Sequence, residues 1–400
     1  MFDSIEARPA DPILGLSAAY KKDTNPNKID LGVGVYKDES GNCPVMKAVK
    51  TAEIRKCDVE DSKAYIAQAG PEGYIRHTLN LILGNAHPVI RDERYSTVLA
   101  PGGSGSLRLA AEFVNGSAPG SKIYVSNPSW PNHVPLLTSS GLTLEEYPYY
   151  DHATHSLDFD AMMSSLKNAG KGDLVLLHGC CHNPCGADLN KEQWTAVTDL
   201  ALENGFTPFI DMAYQGLGDG LDEDAFGARL MAEKLPELIV CNSYSKNFGL
   251  YRDRVGAVTI ITSNSETAKA VGTQVVAKAR EIYSVPPAHG AFLVEMILDD
   301  EDLTREWNDE LTEMRDRING LRRDLVAKLQ DKLQEKGIEK DFSFIQNEKG
   351  LFSFLGLSKE QVTTLVNDYS IYLVGSSRIN VAGINKANID YLAESIAKIL

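Results

Sequence analysis

Cys241-Asn-Ser-Tyr-Ser-Lys-Asn-Phe-Gly-Leu-Tyr-Arg-Asp-Arg254 is the stretch that decides how this chain is read. Lys246 follows the apolar run Leu238-Ile-Val240, with hydroxyls at Ser243 and Ser245 before it and Arg254 after it. A lysine leaving the end of a buried strand is partly desolvated, which makes its amine a nucleophile. Hydroxyls and an arginine around it would hold a phosphate. The combination suits a Schiff base to a phosphorylated aldehyde. The competing reading is a lysine that caps a strand on the solvent side, where most lysines sit.

The rest of the chain supplies the context. Its 400 residues have material for two or three domains and a large core. Hydrophobic residues make up 43% and charged residues 24%, as in an ordinary globular protein. A net charge of -15 argues against nucleic acid or an anionic membrane as the main partner. The start, MFDSIEARPADPILGL, carries acidic residues and no long apolar stretch, so no signal peptide is expected. No run approaches the roughly 20 apolar residues that span a bilayer. Six cysteines, three of them at 180, 181 and 185, read as reduced thiols in a cytosolic protein.

Between about residues 95 and 262, short apolar strands alternate with amphipathic stretches. Strands are expected at 96–99, 122–125, 142–147, 174–178, 207–211, 238–243 and 257–261, with helices at 191–204 and 224–234. This alternation predicts a mostly parallel sheet covered by helices. Ligands of such sheets bind beyond the C-terminal strand ends, where Asp211 and Lys246 both fall. Leu303, Trp307, Leu311, Met314, Ile318, Leu321, Leu325, Leu329 and Leu333 recur at helical spacing in a highly charged segment. They predict one long helix bridging two domains, with a coiled coil as the rival. Residues 342–400 read as a smaller α+β domain, with strands at 351–354 and 371–374. The expected division is a large domain over 45–310 and a small one from 1–44 and 311–400.

Pro101-Gly-Gly-Ser-Gly-Ser-Leu-Arg108 follows a strand and opens a helix, whose free N–H groups favour a phosphate. It lacks the lysine of a Walker loop and the final glycine of a dinucleotide fingerprint, so a simple tight turn competes. Asp211 ends the run Thr207-Pro-Phe-Ile and is either a helix N-cap or a buried carboxylate that needs a cationic partner. His178-Gly-Cys-Cys-His-Asn-Pro-Cys-Gly186 has the residue types of a metal centre. With no second CxxC pair, and with Asn183-Pro184 turning the chain, a buried turn presenting the Asn183 amide is favoured. Trp130, between two prolines, is placed either to stack on a flat ring or to pack in the core.

Taken together, these segments resemble the class I aminotransferases of the PLP-dependent fold type I, in their bacterial aspartate/aromatic branch. The motifs are Lys246 with Asn-Phe-Gly-Leu-Tyr, Asp211-x-x-Tyr214, His182-Asn-Pro-x-Gly186, Asn127-Pro-x-Trp-x-Asn-His133 and Ser377-Arg-Ile-Asn-Val-Ala-Gly383. The likeness runs from Asp11-Pro-Ile-Leu-Gly-Leu16 to the last helix. It implies an α/β fold with a mostly parallel seven-stranded sheet between helices, plus a smaller α+β domain.

It also implies the site. Lys246 would join pyridoxal 5'-phosphate covalently, Asp211 would pair with the pyridine nitrogen, and His133 would back up Asp211. Asn183 and Tyr214 would bind the phenolic oxygen, and Trp130 would stack on the ring. Gly103, Ser104, Ser243 and Arg254 would hold the phosphate, with Tyr65 arriving from the second subunit of a homodimer. Arg378 and Gly34 would take the substrate α-carboxylate, and Arg280 would reach across the interface to a distal carboxylate. No metal is implied. The resemblance implies aspartate and 2-oxoglutarate as substrates, with room for side activity on phenylalanine and tyrosine: Arg280 and Lys37 look like the aspartate branch, though Arg280 occurs in both. Ala64, Ser104 and Val285 depart from the aspartate branch, which keeps an aromatic amino acid aminotransferase as the alternative. A decarboxylase on the same scaffold is disfavoured because a gripped α-carboxylate aligns the Cα–H bond for cleavage.

Overall fold

A computed structural model describes residues 1–7 and 12–400; Asp11, which opens the N-terminal motif, lies outside the described residues. The chain divides into two compact units, one formed by 1–43, 317–347 and 351–400, the other by 44–316 with 348–350.

The larger unit is built on a seven-stranded sheet in the order Tyr95–Pro101, Val255–Ile261, Leu238–Ser243, Thr207–Met212, Leu174–His178, Lys122–Asn127, Thr143–Pro148. Val255–Ile261 runs antiparallel to both of its neighbours, while the remaining pairings are parallel. Leu238–Ser243 and Val255–Ile261 are buried at every position. That is why they read as continuous apolar runs and not as alternating ones. The helices Gly102–Ser117 and Ser265–Tyr283 pack on the Tyr95–Pro101 side of the sheet. Leu107, Ala110, Ala111 and Val275 join Val98, Ile123, Leu176, Phe209 and Val258 in one core. Lys191–Asn204 starts with a capping box, in which Asn190 and Gln193 bond each other's backbone N–H. No helix among the described residues is long and apolar enough to cross a membrane.

The expected long helix spans Glu301–Lys336, and its apolar seam from Leu303 to Leu333 is buried within the single chain. A coiled coil is therefore not needed to cover it. In the larger unit Trp307 stacks on Phe248 with ring centroids 4.4 Å apart, and its indole N–H donates to Asn247 O at 2.7 Å. The backbone just after Lys246 is thereby clamped.

The smaller unit contains two two-stranded ladders. Ile29–Asp30 runs parallel to Ile371–Tyr372, and Phe352–Phe354 antiparallel to Arg378–Asn380. Arg322 is 1% exposed and donates to Ile345 O at 3.0 Å, Phe352 O at 2.7 Å and Ser353 Oγ at 2.5 Å. A buried guanidinium is tolerated where several buried acceptors take its hydrogens. Replacing it (Arg322→Met) should lower unfolding free energy by about 3 kcal/mol. A urea titration followed by circular dichroism measures this, and an unchanged midpoint would contradict it.

Candidate active site

Five parallel strands and Tyr95–Pro101 end on one edge of the sheet, and the antiparallel Val255–Ile261 begins there. That edge gathers residues far apart in sequence. Gly103 and Ser104 follow the first strand, Trp130 and His133 the second, His178 and Asn183 the fourth. Asp211 and Tyr214 end or follow the fifth, Ser243 and Lys246 the sixth, and Arg254 precedes the seventh. Ladder register sets His178 opposite Asp211, Asp211 opposite Cys241, and Gly256 opposite Ser243.

Asp211 is buried, and its Oδ2 accepts from His133 Nε2 at 2.9 Å. A chain of hydrogen bonds stands behind that contact. Asn183 N–H can only donate, and it meets His178 Nδ1 at 3.4 Å. His178 therefore carries its hydrogen on Nε2 and gives it to Ser129 Oγ at 3.1 Å. Ser129 in turn donates to His133 Nδ1 at 2.8 Å, leaving His133 to donate from Nε2 to Asp211. Burial pushes Asp211 towards its neutral form. The His133 hydrogen bond and the nearby His133, His178 and Lys246 outweigh this and hold the carboxyl below its usual range. Burial, together with His133, lowers His178 to about 3 against the pull of Asp211. Trp130 stands edge-on to His133, with centroids 5.2 Å apart.

The Lys246 ammonium lies 4.5 Å from the centre of the Tyr214 ring. Burial lowers its pKa to about 8, with Asp211 opposing and Arg254 assisting. A sizeable fraction is thus free amine near neutrality, as a nucleophile or base requires.

Beside it is an anion seat. Ser243 Oγ donates to Ser245 Oγ at 3.0 Å, and Arg254 Nη1 donates to Ser245 Oγ at 3.4 Å and Tyr251 O at 2.8 Å. Arg254 makes no ion pair with a carboxylate among the described residues. The Gly102–Ser117 helix has no side-chain cap, so its first N–H groups are open to a ligand. Gly102 has φ +71, and a Cβ there would collide with the Arg254 guanidinium. Only glycine lets the helix start come this close to the arginine. Uncapped N–H groups, two hydroxyls and an unpaired guanidinium form a donor set that fits a phosphate.

In the smaller unit, Arg378 is buried, lies over the Phe352 ring at 4.4 Å and donates to Gly32 O at 2.8 Å. Asn380 Nδ2 donates to Val33 O at 2.6 Å and Val35 O at 2.7 Å, bracketing Gly34. A Cβ on Gly34 would sit 2.8 Å from Phe352. Lys37 pairs with Asp30 at 2.8 Å. Arg280, in the last turn of Ser265–Tyr283, and Tyr65, 91% exposed, both face solvent in the single chain.

The cysteine- and histidine-rich turn contains no His/Cys metal cluster among the described residues. His178 belongs to the Asp211 chain, and Cys185 Sγ meets His182 Nδ1 at 3.1 Å. The trio with metal-like spacing is Cys180, Cys181 and Asp224. Asp224 there already accepts from Gly216, Gly218 and Asp219 N–H at 2.8–2.9 Å. Ser129, Trp307 and Asp188 carry positions in this site that motif reading passed over. Ser129 lies inside the quoted Asn127–His133 motif, but its partners are visible only in space.

Residues 26–396 match the profile of the family described as aminotransferase class I and II. Aspartate aminotransferase of Haemophilus influenzae is 49% identical over 400 residues, covering 100% of both chains. The aromatic-amino-acid aminotransferase of Pseudomonas aeruginosa is 43% identical, covering 100% of this chain and 98% of its own. Among solved structures, the aromatic-amino-acid aminotransferase of Burkholderia pseudomallei, covalently bound to pyridoxal phosphate, superposes with a TM-score of 0.97. It is 41% identical and covers 100% of this chain and 99% of its own. An uncapped helix start beside an unpaired arginine, and a desolvated lysine near an ionised buried aspartate, thus occur in a chain that belongs to the class I and II aminotransferase family.

Proposed function

We propose that this enzyme transfers the amino group of L-aspartate to 2-oxoglutarate, giving oxaloacetate and L-glutamate, with pyridoxal 5'-phosphate as cofactor. The observation that carries the reading is Lys246, its amine desolvated to a pKa of about 8 beside the charged Asp211. Pyridoxal phosphate supplies a conjugated cationic ring that delocalises the electrons left when Cα loses its proton. Asp211, kept ionised by His133, keeps the ring nitrogen protonated. Asn183 and Tyr214 donate to the phenolic oxygen, and Trp130 covers the ring. Gly103, Ser104, Ser243 and Arg254 hold the phosphate. Lys246 would anchor the cofactor covalently and, as a free amine, would be the base that takes the Cα proton.

Arg378 binds the α-carboxylate with two parallel hydrogen bonds, with Gly34 contributing backbone, so that the Cα–H bond is the one broken. The enzyme works as a homodimer, in which Tyr65 completes the phosphate seat and Arg280 binds the distal carboxylate of the neighbouring site. Their exposure in one chain supports that assignment. Aspartate is favoured by Arg280 and by the 49% identity to an aspartate aminotransferase. The second reading, an aromatic amino acid aminotransferase, draws on Ala64, Ser104 and Val285 and on the 0.97 TM-score to an aromatic enzyme. A reducing cytoplasm suits six cysteines that form no disulfide among the described residues.

With 2-oxoglutarate as acceptor, kcat/KM for aspartate should exceed that for phenylalanine, and the reverse order would establish the aromatic reading. Arg280→Ala should cost dicarboxylates about 3 kcal/mol, roughly 100-fold in kcat/KM, and spare aromatic substrates. The covalent linkage has its own test. Apoprotein should capture pyridoxal phosphate faster as pH rises and level off above about 8, as the Lys246 ammonium gives up its proton. Borohydride reduction and peptide mapping should find the label on Lys246, and Lys246→Ala should carry none.

A further inference from the structure

Cys181 holds a left-handed backbone, φ +52, in a non-glycine residue two positions before Asn183. Its N–H donates to Asp188 Oδ2 at 2.6 Å, and the N–H of His182 donates to Asp188 Oδ1 at 2.8 Å. One carboxylate thus holds two successive N–H groups of the turn that ends in Asn183. The turn is closed by Gly186 N–H to His182 O at 2.7 Å and tied outside by the Tyr149 hydroxyl to Ala187 O at 2.8 Å. Asp188 has no lysine or arginine ion pair among the described residues. The titratable groups around it are Asp224, Asp219, Cys180, Cys185, His182 and Tyr149, and Lys349, whose backbone N–H donates to Gly186 O at 2.7 Å, pairs through its side chain with Asp219 at 2.5 Å.

We infer that Asp188 is a positioning residue for transamination: by holding the Cys181 and His182 N–H groups it aims the Asn183 amide at the phenolic oxygen of the cofactor. The inference rests on the role proposed above for Asn183. Backbone strain at Cys181 persists only where something over-determines it, and a bidentate carboxylate does so.

Burial raises the Asp188 carboxyl to about 6, against the His182 and Cys181 N–H groups that lower it, with Asp224 and Asp219 raising it further. A carboxyl whose folded pKa is raised protonates more readily folded than unfolded. Its contribution to stability therefore improves as pH falls from about 6 towards 3.8. Acid should loosen the turn without a loss of stability from this group, and that separates aiming from a merely structural role.

The test titrates the visible band of the holoenzyme against pH. Asn183→Ala should raise the midpoint, because the phenolate loses a donor. Asp188→Asn, of the same shape but uncharged, should raise it by about one pH unit and lower kcat about tenfold, roughly the effect of one weakened charge-assisted hydrogen bond. Its thermal midpoint at pH 7.5 should equal or exceed that of the parent. If Asn183→Ala shifts the band and Asp188→Asn does not, the inference is overturned. If neither does, the Asn183 assignment fails and this inference with it. Should Asp188→Asn not fold, hydrogen exchange on the parent holoenzyme decides. Corrected protection of the Cys181 and His182 amides should fall between pH 7.5 and 5.5 relative to Gly179, whose N–H bonds Asp211 O at 2.8 Å. Equal protection at both pH values would overturn it.

Discussion

A carboxylate kept charged inside the protein is the constraint from which the site follows. Asp211 lies one residue before the end of the buried strand Thr207–Met212, where an unpaired charge is costly. His133 meets that cost by donating from Nε2, and Ser129, His178 and the Asn183 N–H fix which nitrogen of His133 does so. The same buried charge moderates the loss of the Lys246 proton, which burial and Arg254 favour. Acidic and basic partners are therefore tuned against each other by shared surroundings, and neither value would survive transfer to a surface.

The elements supporting this pair are held from several directions. Trp307 fixes the carbonyl of Asn247, next to the lysine, through a helix that begins more than fifty residues later in the chain. Gly179 is tied to Asp211 through its backbone. Precision of this kind comes from side chains on rigid elements and from backbone that cannot drift, which suits a site where about 1 Å decides the rate.

Much of this was legible in the sequence. Leu174–His178 and Leu238–Ser243 read correctly because continuous apolar runs ending in polar residues mark buried parallel strands. Strand ends were less legible. Tyr95, Ala100 and Pro101 extend the first strand through pairing with Ile261, Gly256 and Val255, a register that no local pattern encodes. His178 read as a possible ligand because spacing along a chain does not reveal which atoms face each other; in space its two nitrogens are already engaged. The Gly102–Arg254 contact crosses a ladder between segments far apart in the chain. Asp188 left no motif, since backbone N–H groups, its partners, exist at every non-proline residue.

The reversed strand Val255–Ile261 has a consequence for recognition. Running against its neighbours, it brings its first residues to the edge where theirs finish, so Arg254 enters the anion seat directly from a ladder instead of from a long loop. Both the arginine and the open helix start opposite it are anchored to adjacent rungs. A phosphate arriving there would find its donors already in place, with little conformational entropy left to lose on association.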